Sequence, residues 1–321
     1  MRKILLIAII GIVGSSNLVA QEGLPFYNHY LVSDRYLINP SYAGANPEVL
    51  SVTGSYRNQW ADLPESPNTQ TVSVHATVVD RLAFGLYVFN DENGLTSLRG
   101  INLSAAYHIP ISSRRDMYED EEEDKFSFGL SYNTFQQVLD LDRINVNQPN
   151  DPLLREDTYN LSYFNLGISF NYAGLFGGVS VLDIPLAQNE AVADGIEPLP
   201  TWYYLMLGYK FRVTEGINLE PSLVMNLNSN SERHLDLNLI SHIGFGERQQ
   251  GLDLGVSYRQ DMDKNGSQGL SVSPLVKLKI GGLKLGMSYD IGLSDIATEA
   301  GNGILFSLGY DFSNPFNPDF R

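Results

Sequence analysis

Between residues 49 and 312, runs in which apolar side chains return at every second position recur, and no amphipathic stretch of three helical turns interrupts them. Val72, Val74, Ala76 and Val78 share one face of a run whose other face is Thr71, Ser73, His75 and Thr77. Phe126, Phe128, Leu130 and Tyr132 oppose Ser127, Gly129 and Ser131, and Leu283, Leu285, Met287 and Tyr289 oppose Lys284, Gly286, Ser288 and Asp290. A period of two puts successive side chains on opposite faces of a strand, so the chain reads as all-β. The alternation marks fourteen candidate strands, near 49–57, 70–79, 81–90, 98–109, 125–137, 161–171, 174–183, 201–212, 217–227, 234–244, 250–260, 269–279, 282–290 and 303–312.

The connections between these runs alternate in length. The second, sixth, eighth and twelfth are tight, at Asp80, Tyr172 to Ala173, Val213 to Gly216, and Gly281. The third, fifth, seventh and thirteenth are longer and more polar, most clearly residues 138–160 and 184–200. Short turns at one end and long loops at the other match an outer-membrane barrel with both termini in the periplasm. The fourth connection, residues 110–124, departs from that rule.

A soluble β-sandwich shows the same period within each strand, so alternation alone does not separate the two folds. Three further features do. Several runs reach about ten residues, the length a tilted strand needs to cross a bilayer. Tyr132, Tyr203, Tyr209, Tyr258, Tyr289 and Tyr310 gather near strand ends, as an interfacial girdle does. Residues 1–20 start with Arg2 and Lys3, continue through an apolar run from Ile4 to Val13 and end in Leu18-Val19-Ala20 before Gln21. That shape reads as a cleaved secretory signal, its apolar run being too short to span a membrane.

No later segment approaches the roughly 18 consecutive apolar residues of a membrane helix, so a mature chain that enters a membrane enters it as a barrel. The net charge of -16 sets the chain against nucleic-acid phosphates. There is no Cys, hence no disulfide, no thiol nucleophile and no Cys for lipid attachment. The domain reading is therefore a signal over 1–20, an irregular segment over 21–48, a barrel over 49–312 and a tail over 313–321. The irregular segment carries Pro25, Asn39, Pro40, Gly44, Asn46 and Pro47 beside aromatic residues that must pack on something, which places it in the lumen or at the periplasmic rim. Pro221 and Pro274 fall inside strand runs, where each removes a ladder hydrogen bond, so bulges or shifted boundaries are expected there.

Residues capable of chemistry are scattered. The five histidines, His29, His75, His108, His234 and His242, show no metal-ligand spacing, and His75 is expected to face the lumen among hydroxyls. Asp261, Asp263 and Asn265 match the first half of a calcium loop, but Val272 stands where the closing acidic residue belongs, and Asn265-Gly266 is also a hairpin turn signal. The acidic run from Glu119 to Asp124 is either a solvated loop or a periplasmic docking surface. Asp236, Asn238, Glu220, Lys277 and Lys279 are expected to line the lumen. No phosphate loop, nucleophile elbow or paired-carboxylate constellation is found, so the expectation is no enzyme and no cofactor.

A set of motifs carries more. Gln21 with Phe26 and Tyr30, then Asn39-Pro40-Ser41-Tyr42-Ala43-Gly44, Tyr56-Arg57-Asn58-Gln59-Trp60, Pro67 with Thr69-Gln70-Thr71, Ser73 and His75, and Asn90-Asp91 with Gly94 stand in a characteristic order. Ser127-Phe128-Gly129-Leu130, Ser288-Tyr289-Asp290 and the closing Ser307-Leu308-Gly309-Tyr310-Asp311-Phe312 continue it. In these positions the chain resembles the PorP/SprF family of type IX secretion system membrane proteins. The resemblance implies an outer-membrane β-barrel of a Bacteroidota-like bacterium, supporting export or surface retention of cargo such as large gliding adhesins. It also implies contact with periplasmic components of the secretion machine. It brings no catalytic residues.

Asn39, Pro40, Tyr42, Gly44, Arg57, Gln59, Trp60 and His75 are the expected partner-binding or gating positions, with a structural role for Arg57, Trp60, Asn39 and Pro40 as the alternative. A passive channel or small-solute transporter of the same architecture is the alternative function.

Overall fold

The computed structural model describes residues 29–63, 65–94, 96–111, 123–139, 158–186, 199–229, 232–245, 250–263, 266–293 and 301–316. The proposed signal, residues 1–20, lies outside this set, as do residues 21–28, most of the acidic run and residues 317–321.

The strands are β1 (Val49–Asn58), β2 (Asn68–Val79), β3 (Leu82–Asn93), β4 (Thr96–Pro110), β5 (Lys125–Leu139), β6 (Thr158–Tyr172), β7 (Leu175–Pro185), β8 (Trp202–Tyr209), β9 (Phe211–Thr214), β10 (Ile217–Asn228), β11 (Arg233–Gly244), β12 (Gly251–Asp263), β13 (Gly266–Ile280), β14 (Leu283–Gly292) and β15 (Gly303–Ser313). Barrel neighbours pair antiparallel, and β15 closes on β1 from Val49↔Ser313 to Asn58↔Ile304. The result is a closed barrel of 14 strands with β9 as an extra strand outside it. Tight turns lie at one end, where Ala173 and Gly174 both take positive φ, as a mirror-image hairpin turn requires. Hereafter this is the turn end, and the opposite one the loop end.

Both prolines leave marks on the ladder. The run expected as one strand over 201–212 is broken into β8 and β9 at Lys210, and Pro221 lies across the break. Pairing of β10 passes from Ser222↔Gly208 with β8 to Leu219↔Phe211 with β9, skipping Glu220 and Pro221. The displaced Lys210 N–H donates instead to the Gly174 carbonyl at 2.8 Å. Between β13 and β14 the pairs pass from Val272↔Ile291 to Leu275↔Ser288, skipping Ser273 and Pro274. In each case a residue without an N–H interrupts one side of the ladder.

The burial pattern is inverted relative to a water-soluble domain. Val72 and Leu308 are 53% and 59% exposed, whereas Asp236 and Ser288 are 0% exposed. Aliphatic side chains cover the outer wall, and exposed Tyr107, Phe126, Tyr172, Tyr209 and Tyr310 sit towards the turn end while Tyr56, Tyr203, Tyr289 and Phe306 sit towards the loop end. An apolar belt between aromatic girdles is what a bilayer demands of a barrel.

The lumen is not lined by polar groups alone, which corrects the simple reading of one apolar and one polar face. Phe176, Met206, Val224, Ile240, Leu275 and Leu305 are buried in a cluster with Tyr30, Leu31, Val32 and Ile38. Phe89, Phe135, Leu161 and Tyr163 form a second cluster with Tyr36, Leu37 and Ala43. The physical reason is that residues 29–48 enter the barrel and need apolar partners there. They form a helical turn α1 (His29–Val32) and two 3-10 turns, Arg35–Leu37 and Pro40–Tyr42. The side chains of Asp34 and Asn39 cap these turns, accepting from the N–H of Tyr36 and Ser41 at 3.0 Å each.

Candidate functional site

The site is the contact between this segment, called the plug below, and the inner wall. Asn39, Pro40, Tyr42, Gly44 and His75 all belong to it. Asn39 Nδ2 donates to the carbonyls of Ile168 on β6 and Val179 on β7, at 3.2 and 3.4 Å. Pro40 starts a 3-10 turn that fits because residue 129 of β5 is glycine: a Cβ there would meet the Ser41 backbone, and one on Gly167 would meet the Asn39 side chain. Tyr42 donates its hydroxyl to Met206 Sδ at 3.8 Å. Gly44 takes φ +61, and a Cβ on it would meet Ala83 Cβ at 2.5 Å, so both conformation and space require glycine.

His75, in the wall, joins two distant points of the plug. Gly44 N–H donates to Nδ1 at 3.0 Å, which leaves Nε2 as the nitrogen facing the Asp34 carboxylate. Burial pushes the Asp34 carboxyl up. The adjacent His75 imidazole, with smaller help from Lys284 and the Tyr36 N–H, outweighs it and holds the group at about 2. Burial raises the Tyr36 phenol, which bonds Ser104 Oγ at 2.8 Å. The Tyr30 phenol is raised by burial and by the nearby Asp236 carboxylate, to which it donates at 3.1 Å.

Several residues of this contact had no motif to announce them. Arg35 Nη2 bonds Glu220 Oε1 at 2.5 Å, and its guanidinium lies 4.2 Å from the centroid of the Phe176 ring. Glu220 Oε2 lies 3.3 Å from His242 Nε2, and His242 Nδ1 lies 2.8 Å from Asp253 Oδ1. Asp236, which receives Tyr30, is also held by Arg259 at 2.6 Å. A further group grips the plug by its main chain. Ser307 Oγ donates to the Val32 carbonyl at 2.8 Å, Ser180 Oγ to Ile38 at 2.6 Å and Thr77 Oγ1 to Gly44 at 2.9 Å. His108 Nε2 bonds the Ala43 carbonyl at 2.9 Å, Lys125 Nζ bonds Ala45, and Asn314 Nδ2 donates to Pro47 at 2.9 Å. Ser307 stands in the closing motif, Thr77, His108, Lys125 and Ser180 show only an inward position in the alternation, and Asn314 just past β15 has no such sign.

Arg57, Gln59 and Trp60 lie elsewhere. Ser51 pairs with His75 in the ladder, and Arg57 stands six residues further along β1, roughly 20 Å towards the loop end. Buried Arg57 donates to Gln59 Oε1 at 2.6 Å. Trp60 follows with φ 57, a left-handed conformation that costs a bulky residue about 1–3 kcal/mol. The Ala61 N–H donates to Asn302 at 3.1 Å, tying the β1–β2 connection to the one before β15.

Two of the calcium candidates, Asp261 and Asp263, lie at the end of β12. Asp261 pairs with Gln268 and Asp263 with Gly266, an extended hairpin whose tip, including Asn265, lies outside the described residues. Among the described residues no three His, Asp or Glu side chains are grouped as a metal site.

The family model described as type IX secretion system membrane protein PorP/SprF matches residues 19–310. None of the curated proteins compared matches the chain. Among solved structures, one described as the CymD monoaromatic hydrocarbon channel aligns with TM-score 0.53 and 12% identity, over 87% of this chain and 92% of that one. A Pseudomonas aeruginosa FadL homologue aligns with TM-score 0.49 and 11% identity, over 86% of this chain and 92% of that one. At such identities the first likeness concerns the barrel fold alone.

Proposed function

This chain belongs to the PorP/SprF family of type IX secretion system membrane proteins, and from that premise we propose that it is a plugged barrel that holds or passes a particular secreted cargo. As a family member it is an outer-membrane component of that secretion system. The finer reading is that it supports export or surface retention of a large adhesin of the gliding type, working with periplasmic components and without catalysis.

The observation that carries this reading is the plug. Hydrogen bonds from β2, β4, β5, β6, β7, β10, β11 and β15 converge on residues 29–48. A passive diffusion channel needs an open lumen, and a lumen holding a segment bonded to eight strands favours a protein-handling role over that alternative. Asn39, Pro40, Tyr42, Gly44 and His75 then seat the plug at the periplasmic side. Arg57, Gln59 and Trp60 form the rim that meets a partner outside.

Deleting the gene and comparing surface proteins is the test. Loss of a defined surface protein is expected, and an unchanged surface proteome overturns the proposal. Purified protein in planar bilayers should stay closed, whereas a steady open conductance supports the channel.

A further inference from the structure

We propose that the half of the lumen towards the turn end is a polypeptide-binding track and that residues 29–48 are its resident occupant, which yields to an extended segment of another polypeptide when the protein works. This rests on the reading above that the protein handles cargo. Towards the turn end the wall recognises main chain. Thr77, His108, Lys125 and Asn314 reach the carbonyls of Gly44, Ala43, Ala45 and Pro47 in turn, and the Asn314 N–H reaches Glu48 at 2.9 Å. Every polypeptide carries these carbonyls, so the contacts carry no preference for this sequence.

The floor of the track is shaped for backbone as well. Gly129 lets the Pro40–Ser41 backbone approach to a distance that any Cβ would block. The plug has little structure of its own to lose on leaving, being one four-residue helical turn and two three-residue turns. The carbonyls of a second polypeptide can take over the bonds from Thr77, His108, Lys125, Ser180, Ser307 and Asn314, while His75, Glu220 and Asp236 give up the side chains of Asp34, Arg35 and Tyr30. A tethered plug competes at an effective concentration of roughly millimolar, so an incoming segment must be presented locally rather than from dilute solution. A cargo held at the periplasmic mouth meets that condition.

The chain contains no Cys, which allows a clean lock. Ser41 Oγ and Ser169 Oγ are 2.7 Å apart, so cysteines at these two positions bring their sulfurs together. The Ser41→Cys, Ser169→Cys protein should be produced in the gene-deletion strain, with Ser41→Ala, Ser169→Ala as control. Mass spectrometry confirms the bond, and heat-modifiable migration confirms the folded barrel in both redox states. The expected result is loss of the surface protein set that depends on the gene while the bond is intact, with recovery after an added reductant. Surface delivery that is the same before and after reduction, at whatever level, overturns the inference. The deletion phenotype is read separately, so failure of the lock leaves the secretion reading standing, and failure of the deletion to change the surface removes both.

Discussion

Asp34 of the plug and His75 of β2 bind one another across the lumen, and the same imidazole accepts the Gly44 N–H on its other side. One wall residue therefore fixes both ends of the buried turn region. We expect His75→Ala to lower stability by about 2–4 kcal/mol, because it leaves the Gly44 N–H unpaired and the Asp34 carboxylate with only its turn-capping bond from the Tyr36 N–H. The temperature at which the heat-modifiable form disappears measures this. Asp34→Asn combined with His75→Ala should cost less than the sum of the two single changes.

The same pair gives a pH dependence whose sign can be worked out. Asp34 titrates at about 2 in the folded protein, below the value of roughly 3.9 in an unfolded chain. A depressed carboxylate contributes stability that is complete above the unfolded value and is lost as pH falls through the folded one. That contribution is about 2 kcal/mol. Between pH 5 and pH 2, the protection of residues 29–48 against hydrogen exchange, taken relative to the intrinsic rate at each pH, should therefore fall ahead of protection in the strands. In Asp34→Asn that pH-dependent loss of protection should vanish.

Arg35 is the plug's ionic anchor on the opposite wall. Arg35→Ala removes both the 2.5 Å contact with Glu220 and the stacking on Phe176, while the outer wall is untouched. The expected outcome is a folded barrel with a loosened plug, seen as transient openings in planar bilayers where the parent protein is silent. Loss of folded protein would instead make this contact part of the barrel's own stability.

Gly129→Val and Gly167→Val test the seat of the plug sterically. The added side chains point at the Ser41 backbone and the Asn39 side chain rather than at barrel neighbours. Both variants should keep heat-modifiable migration and lose the protease protection of residues 29–48. Unchanged protection would show that the wall can shift to receive a side chain.

Trp60 lies at the loop end, apart from the plug. Trp60→Ala should reduce surface delivery of cargo more than it reduces the amount of folded barrel. If the folded form is lost as well, the side chain is an anchor for the β1–β2 connection. Trp60→Gly separates the two roles, because glycine relieves the left-handed backbone and stabilises the connection by about 1 kcal/mol while also removing the ring.

Much of the architecture was legible along the chain. The alternation around His75 and around Ser127 located strands to within a few residues, because the period of two is a local property of extended backbone. Pro221 and Pro274 announced interrupted ladders for the equally local reason that they lack an N–H. The run over 201–212 still misled, since the break at Lys210 depends on Pro221 in the next strand. The motif positions Asn39 to Gly44 were legible as unusual, and their place in the lumen was only one of two expectations.

The sequence by itself determined a strand-built wall with an apolar and a polar face, and the family to which that wall belongs. Only the tertiary structure decided what stands inside it. Arg35 meets Glu220, Tyr30 meets Asp236 and Ser41 meets Ser169 across separations of 185, 206 and 128 residues. No local period encodes such pairs, because they form only once closure of β15 on β1 has brought the whole inner face around one segment. Closure also explains the inward Phe89, Val224 and Leu305, which break the expected polar lining because the plug supplies the apolar surface that buries them.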